Sequence, residues 1–312
     1  MKKVAIADFG SARVKLTVAQ LRADVIHWDC YREELNTARQ LSTSLAFGEE
    51  SCLRLVAAAE RIRDFAQDQG CDHMIGVGTE AFRSASDGED AARRLSRILP
   101  GFRVLSPEEE GALLFSAVSG EPGDNQMCVV DVGGASVQIV WIDQGLKVIS
   151  LPLGPGLLEG AFQAQPWAAD SEFQRIKEYI DKRLTTSLPQ TLRRSRIVFG
   201  STCMAEFIRS AMHHFSIDEA VGADQPNTDL MAVLMIEMRA LKATEVVNVY
   251  PQNPSFAMGA DKTLLIVSMI AGRVGANTAV PTDESISTAI ARQLLRPATG
   301  QQSVTLSACR LQ

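Results

Sequence analysis

The chain has 312 residues, enough for two domains of ordinary size, each with its own core. A hydrophobic share of 46% and a charged share of 22% are those of a globular protein and exclude a disordered one. A net charge of −6 argues against non-specific nucleic-acid binding, which needs a basic face, and requires any polyanion site to be locally basic.

In chain order, residues 4–7, 14–18 and 25–31 read as three successive strands joined by short turns. A helix over 51–69 follows, with Leu53, Val56, Ala57, Ile62, Phe65 and Ala66 near helical spacing and Gly70 as its stop. Residues 74–77 are the next strand, Asp87 is the expected N-cap of a helix ending before Pro100-Gly101, and 103–105 form a short strand. Ser106-Pro-Glu-Glu109 then marks a helix start, a capping box with Pro in the first helical position.

The turn-rich stretch Gly120-Glu-Pro-Gly-Asp124 interrupts the pattern, which then restarts. Strands are expected at 128–130, 137–142, 146–151 and 196–199, and helices at 172–188, 203–212, 228–242, 264–273 and 283–295. Residues 297–312 show no periodicity. Strands in threes followed by alternating helix and strand, twice over, argue for two α/β layers with mixed sheets. The domains expected are 1–123 and 124–312.

Six cysteines are scattered without Cys-x-x-Cys or metal-ligand spacing, which reads as reduced thiols of a cytoplasmic protein. The longest apolar run, 264–271, is too short to span a bilayer, and Asp8, Arg13 and Lys15 interrupt the first apolar stretch too early for a signal peptide, so no membrane partner is expected. Arg193, Arg194 and Arg196 form the densest basic cluster and read as a solvated loop after Pro189.

Two segments read as copies of one device, Val4-Ala-Ile-Ala-Asp-Phe-Gly-Ser11 and Val129-Val-Asp-Val-Gly-Gly-Ala-Ser136. In each, an apolar run delivers an Asp, then a Gly-bearing turn, then a returning strand. Such a turn can face its N–H groups to a phosphate, with the Asp beside it on a divalent cation. Asp8 and Asp131 stand 123 positions apart, and Thr79 and Thr202, each after a strand-like run and a Gly, repeat that interval. The repeat points to duplication, with two half-domains facing each other across a phosphate-binding cleft.

Glu110 shares a helix face with Leu113, Leu114 and Ala117, so its carboxylate points inward. There it is either a general base that accepts a proton from water or an acid stabilised by the helix dipole. Asp131 is either a Mg²⁺ contact or the acceptor of an Asx-turn, with the paired Asp8 device favouring the metal. Gly10, Ser11, Gly133, Gly134 and Ser136 are the candidate phosphate donors of the two turns. Lys15 reads as a phosphate contact or a solvent-facing lysine. Arg83 reads as a bidentate phosphate clamp or as an ion pair with Glu80 or Asp87.

At these residues the chain resembles the exopolyphosphatase / guanosine pentaphosphate phosphohydrolase family, within the superfamily of acetate and sugar kinases, actin and the 70-kDa heat-shock chaperones. Asp8-Phe-Gly-Ser11 resembles the family's first phosphate loop, and Gly78-Thr-Glu-Ala-Phe-Arg83 its Thr-x-Ala-x-Arg segment. Ser106-Pro-Glu-Glu-Glu110 resembles the segment ending in the catalytic Glu, Asp131-Val-Gly-Gly-Ala-Ser136 the second loop, and Leu151-Pro-Leu-Gly154 a following segment. The resemblance implies two similar ribonuclease-H-like α/β domains with mixed five-stranded sheets flanking a central cleft, and a homodimer. It implies a Mg²⁺-dependent hydrolase releasing terminal orthophosphate from inorganic polyphosphate, or the 5′ phosphate from guanosine pentaphosphate. Glu110 would position the attacking water, Asp131 would hold the metal, and Arg83 and the loops would hold phosphate.

The chain departs from that pattern at Ala12, Arg13 and Lys15, at Ala135, Val137 and Gln138, at the turn Gly200-Ser-Thr-Cys203, which is one Gly poorer, and at 285–291, where a Gly-Leu-Arg-x-Gly segment is absent. Gln138 replaces an acid and so removes a charge that helps bind a cation. These departures motivate a second class of function, a phosphate- or nucleotide-binding regulator with weakened chemistry. A small-molecule kinase of the same superfamily is a third.

Overall fold

The computed structural model describes residues 2–11, 13–35, 37, 41, 44–119, 125–162, 170–200, 203–217 and 228–296. It divides into two compact units, Met1–Ala117 with Ser285–Gln312, and Val118–Glu284.

In the first unit, β1 (Lys3–Phe9), β2 (Arg13–Arg22) and β3 (Val25–Glu34) form an antiparallel meander. Helix α1 (Gly48–Asp68) leads to β4 (His73–Gly78), which joins the far side of β1 in parallel. After it come α2 (Glu80–Ser84), α3 (Gly88–Ser96), the two-residue strand β5 (Arg103–Val104) and α4 (Pro107–Val118). The order across the sheet is β3-β2-β1-β4-β5. Because side chains alternate along a strand, Ala5, Ala7 and Phe9 enter one core with the buried stripe of α1 and the rings of Phe47, Phe82 and Phe102. Val4, Ile6 and Asp8 share the opposite face.

Asp87 is the N-cap residue of α3, as the sequence suggested, but its side chain makes no cap bond there. Its two carboxylate oxygens accept the Phe47 and Gly48 N–H groups at 2.8 Å and so cap the start of α1. Gly76 and Gly78 both lie inside β4. A Cβ on Gly76 would come within 2.8 Å of Phe102 and one on Gly78 within 2.7 Å of Phe82, so ring packing demands both glycines.

The second unit repeats the plan. Strands β6 (Met127–Val132), β7 (Val137–Ile142) and β8 (Leu146–Leu151) form the meander. Then follow α5 (Pro155–Ala161), α6 (Asp170–Ser187), β9 (Arg196–Gly200), α7 (Met204–His214), α8 (Thr228–Ala240), α9 (Ala243–Val246), α10 (Pro254–Met258), α11 (Ala260–Val274) and β10 (Thr278–Thr282). The sheet order is β10-β9-β6-β7-β8, the same arrangement as in the first unit. Strand β10 was not foreseen because Pro281 cannot donate to a ladder; it is tolerated because β10 is an edge strand.

Duplication extends to individual residues. Asp8 pairs with Lys15 and Val77, and Asp131 pairs with Gln138 and Gly200, the same partners displaced by the 123-residue interval. The expected boundary at residue 123 and the expected single stretch 124–312 need correction. The chain returns to the first unit after Glu284, where α12 (Ile286–Leu295) packs on β1 and β2. Short motifs in this region gave no sign of that return.

Candidate functional site

Both hairpin turns are built alike. The Gly10 N–H donates to the Arg13 carbonyl at 3.0 Å and the Gly133 N–H to the Ser136 carbonyl at 2.8 Å. The first turn is tied down at its Ser11 carbonyl, which accepts from the Thr37 N–H at 2.8 Å and from its hydroxyl at 2.6 Å. In the second, the Gly134 carbonyl accepts from the Leu157 N–H at 3.1 Å and the Ala135 carbonyl from the Gly154 N–H at 3.0 Å. A trans peptide holds its N–H opposite its C=O. Anchoring these two carbonyls therefore aims the Ala135 and Ser136 N–H groups away from α5, the orientation an anion-binding turn requires. Ser11 and Ser136 are themselves buried.

The repeated register carries different charges. In the first unit Asp8 faces Lys15, which is 4% exposed and donates to the Ser285 hydroxyl at 2.6 Å, so the solvent-facing reading of Lys15 is excluded. Ser285 is the N-cap residue of α12. Burial pushes the Asp8 carboxyl above the usual range, with Lys15 opposing it. In the second unit Asp131 faces Gln138, which is 1% exposed and donates to Ser150 across the next strand at 3.3 Å. One hairpin thus sets an ammonium beside its Asp, while the other leaves its Asp facing a neutral amide.

The capping box of α4 forms between Ser106 and Glu109, with bonds of 2.9 and 3.2 Å. This frees the next acid for another task. Glu110 is 3% exposed, and its Oε2 accepts from Arg83 Nη2 at 2.7 Å. The same nitrogen donates to Glu80 at 2.9 Å, while Nη1 donates to the Leu105 carbonyl at 2.6 Å. Leu105 is in turn hung from β4 by its N–H on the Gly78 carbonyl, 2.9 Å. Burial works against the Arg83 charge, but Glu110 and Glu80 outweigh it and hold the guanidinium protonated. Of the two ion-pair partners named for Arg83 from sequence, Glu80 is engaged; Asp87 is committed to α1.

Glu110, Arg83, Lys15, Gly10 and Ser11 belong to the first unit, and Asp131, Gly133, Gly134 and Ser136 to the second. Thr202 lies outside the described residues. At the end of its turn, Cys203 takes φ +80°, a left-handed conformation that costs a residue with a Cβ about 1–2 kcal/mol.

Two features escaped the sequence reading. Ser285 caps a helix that returns from 270 positions away to reach Lys15. Asp261 and Lys262, both fully buried on α11, lie just ahead of the helix expected at 264–273. Lys262 Nζ lies 3.2 Å from both Asp261 and Glu159 of α5, and Arg239 reaches Asp261 at 3.4 Å. The network pins the helix that anchors the second turn.

No helix among the described residues is long and apolar enough to cross a membrane. The architecture matches solved structures along nearly its whole length. An exopolyphosphatase from Cytophaga hutchinsonii superposes with a TM-score of 0.81 at 16% identity, covering 94% of this chain and 98% of that one. A Ppx/GppA family member from Aquifex aeolicus superposes with a TM-score of 0.72 at 20% identity, covering 94% and 98%. At such identities the likeness establishes the fold. The model of the Ppx/GppA phosphatase family matches residues 31–228, a span that holds Arg83, Glu110 and the whole second turn, and the chain belongs to that family.

Proposed function

We propose that this protein is an exopolyphosphatase-type phosphoanhydride hydrolase, releasing terminal orthophosphate from inorganic polyphosphate with Mg²⁺. One observation carries the reading. The Arg of the Thr-x-Ala-x-Arg segment and the last Glu of Ser106–Glu110, 27 positions apart, meet at 2.7 Å, the Glu buried and the Arg half-buried. A carboxylate held there can accept the proton of an attacking water, and a guanidinium beside it can take the phosphate that the water attacks. Ser11 and Lys15 offer further donors at the same end of that sheet, while Gly10 shapes the turn through its N–H on the Arg13 carbonyl. Gly133, Gly134 and Ser136 present the equivalent turn in the second unit.

Asp131 is the residue that would hold Mg²⁺, and the donor set fits. Magnesium takes one or two carboxylates, keeps several waters and completes its shell with substrate phosphate oxygens. A single Asp paired in register with a Gln suits that sharing. Among the described residues no group of three metal-ligating side chains forms a cage. When bound, the cation neutralises charge developing on the phosphoryl oxygens.

Orthophosphate release by the purified protein from polyphosphate and, side by side, from guanosine pentaphosphate tests the reading. Turnover of polyphosphate, lost in Glu110→Ala, is the expected result, and turnover of the guanosine compound alone would reassign the substrate. Binding of either compound without turnover would replace the hydrolase with a binding regulator. A homodimer belongs to the same proposal and is checked by light scattering.

A further inference from the structure

Arg83 is held by more negative charge than it carries. Its Nη2 is shared between Glu110 at 2.7 Å and Glu80 at 2.9 Å, its Nη1 is on a carbonyl, and its Nε is buried without a partner among the described residues. Glu80 is not an incidental neighbour. It sits one turn before Arg83 on α2, and its second oxygen accepts from the Ser84 hydroxyl, so both its oxygens are engaged and it moves with the arginine. Glu110 belongs to a different helix.

A guanidinium grips a phosphate best through two parallel N–H groups. The unpartnered Nε–H offers one of them. The second, on Nη2, becomes available only when a carboxylate yields it. Because Glu80 is fastened to the same short helix, Glu110 is the partner that lets go. Two carboxylates and one guanidinium together carry a single net negative charge, and an incoming polyphosphate meets that charge.

We propose that Glu80 is a specificity-determining residue which makes phosphate binding at Arg83 depend on an accompanying divalent cation, selecting metal-complexed polyphosphate over the free polyanion. This rests on the hydrolase reading for the identity of the ligand. The side chain of Glu80 is a quarter exposed, so its charge is partly screened but still felt at hydrogen-bond range.

The test is calorimetric binding of a non-hydrolysable, methylene-bridged tripolyphosphate analogue to the full-length protein with Glu110 intact, with Mg²⁺ and with EDTA. Glu80→Gln, which keeps a side-chain oxygen for Ser84 and Arg83, should tighten binding in EDTA about five- to tenfold and change binding in Mg²⁺ by less than about twofold. Glu80→Asp keeps the charge and should behave as the parent. An unaltered ratio of the two dissociation constants in Glu80→Gln overturns the proposal, as does an equal shift in Glu80→Asp. Thermal unfolding of each variant separates a fold defect from an electrostatic one. Orthophosphate release by the protein with Glu110 and Glu80 intact decides the hydrolase reading separately. A shifted ratio without any hydrolysis keeps the role of Glu80 and removes the enzyme, and no binding in either condition removes both.

Discussion

Lys15 and Gln138 are one position of a repeated hairpin, each directly opposite the Asp that ends the preceding strand. Duplication preserved the pairing while the chemistry of the partner diverged. In the proposed function the ammonium beside Asp8 serves the anion, and Asp131, opposite an amide, is the residue proposed to hold the cation.

Restoring an acid at the second position should therefore be read out through metal. Gln138 is almost wholly buried, so Gln138→Glu places a second carboxylate across from Asp131 where like charges repel and solvation is lost. Without metal the variant should unfold about 2–4 °C or more below the parent, the shift expected for roughly 1 kcal/mol in a domain of this size. Millimolar Mg²⁺ should recover the loss, because two carboxylates bind the ion better than one. Thermal unfolding with and without Mg²⁺ checks this, and a deficit that Mg²⁺ leaves untouched would remove Asp131 from the metal site.

The pH dependence of stability follows from Asp8. Its pKa is raised by burial, with Lys15 only partly compensating, so the folded state holds this proton more tightly than the unfolded chain does. Raising the pH through the elevated folded value ionises a buried carboxyl and costs stability. Lowering it restores stability until the unfolded value near 3.8 is reached. Asp8→Asn cannot ionise, so the parent should gain stability relative to the variant as pH falls from neutral toward 4. Chemical unfolding of both proteins at several pH values measures the difference, and a difference constant with pH would show that burial does not govern Asp8.

Much of the fold was legible in sequence because the apolar periods were clear and the glycine turns repeated at a constant interval. The strands that carry both turns, the capping box at Ser106 and the inward position of Glu110 all follow from local pattern. What stayed hidden depends on distant partners. Neither the pairing of Asp87 with α1 nor the reach of Ser285 to Lys15 leaves a trace in local spacing. The burial of Lys262 is equally invisible locally, because its counter-charges come from α5 and from its own neighbour.

Two glycine substitutions should have opposite signs. A Cβ on Gly154 would lie 2.4 Å from the Ala135 nitrogen, the Gly133 oxygen and the Gly134 carbonyl carbon, all backbone of the second turn. Gly154→Ala should therefore displace that turn, costing about 2–4 kcal/mol, in the range of severe single substitutions, and weakening phosphate binding. Gly272 lies near the end of α11 with no neighbouring atom within 4 Å of a new Cβ. Gly272→Ala should stabilise by about 0.5–1 kcal/mol, since alanine loses less backbone freedom in a helix. Denaturant midpoints distinguish the two, and equal effects would refute the close-packed account of Gly154.

The network under the second turn links stability to the proposed function. Lys262 is fully buried, and so is Asp261, which also reaches Arg239, whereas Glu159 of α5 is about a quarter exposed. Removing one partner of a buried pair strands the other charge, and that loss exceeds what the intact pair contributes. Lys262→Met keeps the apolar stem and deletes the charge. It should destabilise by about 2–4 kcal/mol, with the solvent reach of Glu159 keeping it below the upper end for buried pairs. Adding Glu159→Gln should recover part of the loss, because the second substitution removes one of the stranded charges, and a double-mutant cycle reads the coupling directly. Since α5 anchors the Gly134 carbonyl through Leu157, Lys262→Met should also weaken tripolyphosphate binding beyond what Gly272→Ala does. A strictly additive cycle would mean that Lys262 and Glu159 act independently, and that α5 is held in place by its apolar contacts alone.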